Sequence, residues 1–139
     1  MATNVDHRPA WGLLPLRLVV GIVFIAHSWL KYSSFGFAGT AKFMGGLGIP
    51  MPHVAAVGII VLELIGGLAL ILGGATRLFA ALLVCDMLGV ILFAKRTAGF
   101  FGPRGWEFEL TLLAGCLTLA IIGAGGVSLD AALRSRRFV

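Results

Sequence analysis

The run from Val54 to Gly74 constrains this chain more than any other stretch. It is apolar over the length of a membrane span, yet it holds one carboxylate, Glu63, near its centre. A hydrocarbon core about 30 Å thick requires roughly 20 apolar residues in a helix. A charge at the middle of such a helix costs about 2.5–3.5 kcal/mol. Glu63 is therefore expected to face a partner or a cavity inside the protein.

The composition extends this conclusion to the whole chain. Hydrophobic residues make up 59% of it and charged residues only 12%, whereas about a quarter of a soluble domain is charged. The net charge is +5, but the basic residues lie at the ends of apolar runs and in the tail. That placement indicates lipid headgroup contact and excludes nucleic acid as a partner. Cys85 and Cys116 lie inside apolar runs and are expected to be inert.

Four apolar runs predict an all-α membrane protein, an antiparallel four-transmembrane-helix bundle that forms one domain over residues 1–139. The predicted spans cover about residues 12–31, 54–73, 77–95 and 107–124. Residues 33–52 are rich in glycine and too short to cross. They predict a short interfacial or re-entrant segment between the first two helices, and an ordered loop over the mouth of the bundle is the alternative.

The orientation rests on a near tie in positive charge between the two sides of the bundle. The basic residues on the terminal side are Arg8, Arg77, Arg134, Arg136 and Arg137, and those opposite are Lys31, Lys42, Lys95, Arg96 and Arg104. Glu107 and Glu109 offset some of the positive charge on the second side, although acids count little in this rule. We expect both termini to be cytoplasmic.

Helical periodicity assigns the polar residues to faces. Arg17, Gly21, Phe24, Ser28 and Lys31 form one stripe that should point into the bundle. His27 lies about a quarter turn away and is expected to be a packing residue.

The second and third spans each carry one acidic residue, Glu63 and Asp86, and the fourth carries two, Glu107 and Glu109. Small residues share the face of Glu63 and favour close approach of a neighbouring helix. The rise of 1.5 Å per residue places Arg17, Glu63 and Asp86 in one buried layer. Lys31 and Glu107 are predicted to form a second layer near the opposite surface, and Glu109 is expected to meet headgroups or water.

These charges support two interpretations. One is a polar clamp that fixes the register of the helices. The other is a ligand or proton site, because Arg17 can neutralise only one of the two midplane carboxylates. The second carboxylate, on Glu63 or Asp86, must then be protonated or held by another donor. The sequence leaves both interpretations open.

Several segments, in this order, resemble the DoxX family of small four-span bacterial membrane proteins. They are LRLVVGIVFIAHSWLK at 16–31, GIPMP at 48–52, VLELIGGLALILGGATR at 61–77, GWEFELTLLAG at 105–115 and GAGGVSLD at 123–130. The resemblance places the polar positions of the family on Arg17, Lys31, Glu63 and Glu107. Asp86 and Glu109 look less typical of the pattern.

The resemblance implies a multi-pass protein of the bacterial inner membrane in a redox-linked context. It favours an accessory or scaffold subunit of a quinone-linked oxidoreductase complex, with other redox subunits or further copies of the chain as partners. We expect no intrinsic cofactor and a contact with quinone. The alternative is a stand-alone protein that binds a small lipophilic molecule or conducts protons. Catalysis by the chain itself is disfavoured, because the sequence has no haem, dinucleotide or zinc motif and no nucleophile elbow.

Overall fold

The computed structural model describes residues 8–136, with side chains from Trp11 onwards, so Arg137 and the side chain of Arg8 lie outside the described part. The described residues are helical and contain no strand, as the sequence predicts. The helices are α1 (Arg8–Gly46), α2 (Pro52–Leu72), α3 (Thr76–Gly89), α4 (Glu107–Ile122) and α5 (Leu129–Arg136). One π-helical turn, Val90–Ala94, continues α3.

Helix α1 is broken at Gly36, where the backbone adopts φ 61° and ψ −177°. This region is open to glycine and strained for residues with a side chain. The chain resumes as a second helix over residues 37–46, which we call the arm. Ala41 and Met44 of the arm are buried against Ala56 of α2. The alternative of an ordered loop is therefore wrong for residues 37–46, which are helical and packed.

Helices α1 and α2 approach each other most closely at two glycines. A Cβ atom on Gly21 would lie 2.6 Å from the carbonyl oxygen of Gly67, and a Cβ on Gly67 would lie 2.6 Å from that of Gly21. Neither position has room for a side chain. About two helical turns further along α1, the Ser28 hydroxyl donates to the Ile60 carbonyl at 2.7 Å. The predicted role of small residues beside Glu63 is thus confirmed.

The apolar core lies between α1, α2, α3 and α4. Its fully buried members include Phe24, Leu70, Leu83 and Leu119. Three helical stretches are long and apolar enough to cross a membrane: Trp11–Gly46, Pro52–Leu72 and Thr76–Ala94. Helix α4 has 16 residues, which is about 24 Å at 1.5 Å per residue. It is packed into the core but is shorter than the other three.

Candidate ligand cavity and its charged end

The stripe predicted on α1 faces the interior. Arg17, Gly21, Phe24 and Ser28 are buried, and Lys31 is partly exposed. The two charged members lie at opposite ends of this stripe, 14 residues apart, and the structure gives them unrelated surroundings.

Arg17 is held by backbone carbonyls. Its guanidinium donates four hydrogen bonds of 2.7–3.0 Å, to the carbonyl oxygens of Leu70, Ile71, Ala124 and Val127. The first two belong to the last turn of α2, and the other two follow the end of α4. The last carbonyls of a helix lack partners within the helix and carry partial negative charge. One cation therefore ties the ends of two helices together.

The predicted pairing of Arg17 with Glu63 is wrong. Glu63 lies seven residues before Leu70, so Arg17 meets α2 about two turns beyond the carboxylate. The carbonyl oxygens at the end of α2 and after α4 lie within hydrogen-bonding distance instead, and together they accept from Nε and from both Nη atoms of the guanidinium. Arg17 therefore belongs to the helix ends, as in the clamp interpretation.

The C-terminal segment is fastened to the same end of the molecule. The Asp130 carboxylate accepts hydrogen bonds from the backbone N–H of Ala75 at 2.8 Å and of Thr76 at 3.0 Å, where α3 begins. The Asp130 N–H donates to the Gly73 carbonyl at 2.9 Å. Partial burial raises the pKa of Asp130, but the hydrogen bonds from Thr76 and Ala75 outweigh it and hold that pKa below its ordinary value. We call these contacts the C-terminal latch.

Glu63 is buried and pairs with Lys31. The Lys31 ammonium lies 2.6 Å from both carboxylate oxygens of Glu63. The prediction that Glu63 faces a partner inside the protein is confirmed. The partner is the lysine at the far end of the stripe, whereas the shared layer of Lys31 with Glu107 stays a prediction.

A second ion pair joins the start of α4 to the end of the third membrane stretch. The Lys95 ammonium lies 2.6 Å from the Glu109 carboxylate and donates to the Gly105 carbonyl at 3.1 Å. Glu109 is buried, while Glu107 is half-buried. The prediction that Glu107 faces inward while Glu109 meets headgroups or water is therefore wrong.

The reason for this error lies in α4 itself. Apolar residues lie on every side of this helix, so hydrophobic periodicity does not identify its inner face. Glu107 shares a helical stripe with Thr111 and Thr118, whose hydroxyls donate to carbonyls of their own helix at 2.9 Å and therefore need no partner in the interior. The true inner face is Glu109, Leu112, Cys116 and Leu119, a spacing of three and four residues that the sequence contained. No comparable spacing in the sequence marks Lys95 as the partner of Glu109.

Asp86 is buried on α3 and only 8% exposed. It lies close enough to Glu63 and Lys31 for their charges to act on it. Both of its carboxyl oxygens nevertheless lack a hydrogen-bond partner among the described residues, as does Oε2 of Glu109. Buried polar groups are normally hydrogen-bonded, and a carboxyl left without a partner is costly. These acceptors therefore require a donor from outside the described chain or, for Asp86, a proton.

These groups line one cavity of about 660 Å³. Most of its wall is apolar and comes from α1 with its arm, α2, α3, the π-helical turn and α4. The His27 ring stacks on the Phe108 ring with their centroids 5.4 Å apart, and this pair forms part of one side of the cavity. The charged groups in the wall are Lys31, Glu63, Asp86, Lys95 and Glu109.

Of the predicted site residues, the structure brings together Lys31, Glu63 and Asp86. It places Arg17 elsewhere, and Glu107 does not line the cavity. No group of three metal-ligating acids, histidines or cysteines occurs within the described residues. The arrangement fits a lipophilic molecule whose polar head reaches the charged groups.

Comparison with known proteins supports the family resemblance. The DoxX family profile matches residues 12–96. A Bacillus subtilis protein named "Putative oxidoreductase CatD" is 36% identical over 121 residues, covering 86% of this chain and 84% of that protein. The Escherichia coli inner membrane protein YphA is 34% identical, covering 85% of this chain and 87% of that protein. Inner membrane protein YqjF of the same organism is also 34% identical, with 90% and 94% covered.

No solved structure matches the chain. The membrane-protein relatives, together with the membrane-spanning helices, support a bacterial membrane location. The family profile covers more than half of the chain, and three relatives exceed 30% identity over most of their length. This chain therefore belongs to the DoxX family of membrane proteins.

Proposed function

We propose that this protein is an accessory or scaffold subunit of a quinone-linked oxidoreductase complex, and that its cavity holds the head group of a quinone-like molecule. The observation that carries the proposal is the cavity itself, with charged and unpartnered polar groups set in an otherwise apolar wall. Its volume of about 660 Å³ falls within the range of about 300–1,000 Å³ typical of small-molecule sites.

The chemistry of the wall supports a lipophilic ligand with a compact polar head. Lys31 and Lys95 supply N–H groups, and Asp86 and Glu109 supply oxygen atoms. Phe43 and the other apolar side chains of the arm offer a surface for an alkyl tail. The Bacillus subtilis relative is named an oxidoreductase, while this sequence has no cofactor motif. An accessory role beside a catalytic partner accommodates both facts.

The proposal includes a placement in the membrane. In it α4 is the fourth span, since it packs in the core beside the three longer stretches. The arm lies at the membrane interface, where exposed Phe37 and Phe43 meet lipid beside the exposed Lys42. Both termini are cytoplasmic. Cysteine labelling at each end with a membrane-impermeant reagent tests this orientation, and labelling from outside intact cells would contradict it.

Native mass spectrometry of the protein extracted from its own membrane tests the function. We expect additional redox subunits, bound quinone, or both. Lys31→Met should lower quinone retention, because it disrupts the charged end of the cavity. Glu107→Gln, a change outside the cavity wall on α4, is the matched control. Repeated recovery of the bare protein or its homo-oligomer, with lipids but no quinone, would refute the proposal.

Asp86 favours a second candidate, a stand-alone protein that moves protons. Its buried carboxyl has no partner among the described residues, and two further carboxylates lie in the same wall. Proteoliposomes with an internal pH dye would show acidification after an imposed potential. Asp86→Asn should abolish that signal if the carboxyl carries the proton. An unchanged signal would exclude this candidate mechanism.

A further inference from the structure

We propose that the cavity prefers a lipophilic molecule whose head donates hydrogen bonds, so that it takes a hydroquinone in preference to the matching quinone. This inference rests on the function proposed above and specifies the substrate class of the same cavity. It follows from an inventory of donors and acceptors in the cavity wall.

The unsatisfied buried groups are acceptors. Asp86 Oδ1, Asp86 Oδ2 and Glu109 Oε2 have no hydrogen-bond partner among residues 11–136. If Asp86 is ionised, both of its oxygens only accept. If it is protonated, its O–H can turn to the neighbouring Glu63 carboxylate, and its other oxygen still accepts. Both protonation states therefore leave an acceptor for the ligand.

The donors of the wall are largely occupied. Lys31 gives two of its three N–H groups to Glu63, and Lys95 gives one to Glu109 and one to Gly105. Both lysine side chains are partly exposed, and neither ammonium group is a buried donor without a partner. The Thr40 hydroxyl donates to the Gly36 carbonyl at 2.8 Å.

His27 adds a further acceptor. Its Nδ1 lies 2.9 Å from the Val23 carbonyl oxygen. A carbonyl can only accept, so Nδ1 carries the proton. In the neutral ring Nε2 is then the acceptor. Among the described residues, the buried groups of the wall that lack a partner are thus the carboxyl oxygens of Asp86 and Glu109, and no buried donor of the wall lacks one.

A hydroquinone head offers two O–H donors, whereas a quinone head offers only carbonyl acceptors. Satisfying a buried, unpaired acceptor changes affinity by about tenfold or more. The reduced form should therefore bind at least about tenfold more tightly than the oxidised form. Phenolic lipids with two free hydroxyls belong to the same chemical class as the hydroquinone, because they also offer two O–H donors.

The test uses the full chain in lipid nanodiscs under anaerobic conditions, with empty nanodiscs to subtract partitioning. Equilibrium dialysis compares three probes that share a decyl tail and a six-membered ring with two oxygens: a decyl hydroquinone, its dimethyl ether and the decyl quinone. The ether keeps the ring and its oxygens but cannot donate. We expect the hydroquinone to bind about tenfold or more tightly than the other two.

Asp86→Asn should narrow this preference, because the amide supplies a donor that suits the quinone. Glu107→Gln should leave it unchanged. The comparison on the unsubstituted protein needs no variant, so failure of Asp86→Asn to fold does not prevent the test. Equal binding of all three probes, or tighter binding of the quinone, overturns this inference while the proposed quinone site stands. Absence of protein-dependent binding for every probe overturns both.

Discussion

Replacement of Arg17 by methionine removes the guanidinium but keeps most of the length and volume of the apolar stem. The structure predicts a large loss of stability. Two of the four hydrogen bonds, to Leu70 and Ala124, are buried, and two are partly buried. A hydrogen bond from a charged donor contributes about 1.5–3 kcal/mol. The two buried bonds alone therefore give a loss of about 3–6 kcal/mol, and water can replace part of the other two.

The matched control for this substitution is Arg77→Met. Arg77 is exposed and makes one hydrogen bond of 3.3 Å, also to a carbonyl at a helix end, that of Ile122. Its removal should cost no more than about 0.5 kcal/mol. The two variants lose the same charge and gain the same side chain, so they differ in the burial and the bonding of the arginine that is removed.

The assay is unfolding of the purified protein in mixed micelles by increasing SDS, followed by helical circular dichroism. The free energy of unfolding of Arg17→Met should fall by several kcal/mol relative to Arg77→Met. Arg17→Lys should lie between, because an ammonium has three donors and a shorter reach. An Arg17→Met midpoint equal to that of Arg77→Met would refute the role of Arg17 as the tie between helix ends.

Three further predictions concern other parts of the molecule. Gly67→Ala should cost about 1–3 kcal/mol by forcing α1 and α2 apart, whereas Gly58→Ala, where a Cβ meets open space, should be neutral or stabilising. Because the folded pKa of Asp130 lies below its unfolded value, the latch is present above the unfolded pKa and is lost as the pH falls through the folded one. Asp130→Ala should cost about 1 kcal/mol at pH 7 and should remove this acid sensitivity; an unchanged pH profile of stability would contradict it. Lys31→Met should lower the free energy of unfolding by about 3–5 kcal/mol, because it leaves a lone buried carboxylate. The double variant with Glu63→Gln should recover much of that loss. If the losses of the two single variants simply add in the double variant, the pairing is contradicted.

The sequence was sufficient for the features that repeat along a helix. The stripe from Arg17 to Lys31 and the inward position of Glu63 follow from 100° per residue and the cost of charge in lipid. The close approach of α1 to α2 at Gly67 follows from the small residues beside Glu63.

The partners of the charged residues were not predictable in the same way. Arg17 bonds to carbonyl oxygens, which every residue possesses and which no sequence pattern marks. Lys31 reaches Glu63 through a long flexible stem, so an argument from helix rise alone places the two in different layers. On α4 the polar stripe of Glu107 and Thr111 concealed the inward position of Glu109. The hydrogen bonds of Thr111 within its own helix removed the need for an interior partner.

The two ends of the α1 stripe differ in whether the buried charged groups there all have hydrogen-bond partners within the chain. This difference separates a structural role from a functional one. Every branch of the Arg17 guanidinium is bonded within the chain, so this cation needs no further partner. The Lys31 end leaves the buried oxygens of Asp86 without partners. A group that served only stability would be better replaced by an apolar side chain of similar volume, because an unpaired buried acceptor costs about 1–3 kcal/mol. We therefore expect Asp86→Leu to raise the SDS midpoint of unfolding while it lowers binding of the decyl hydroquinone. A variant that is destabilised and still binds the hydroquinone normally would show that Asp86 is a structural residue, and the cavity would lose its principal acceptor.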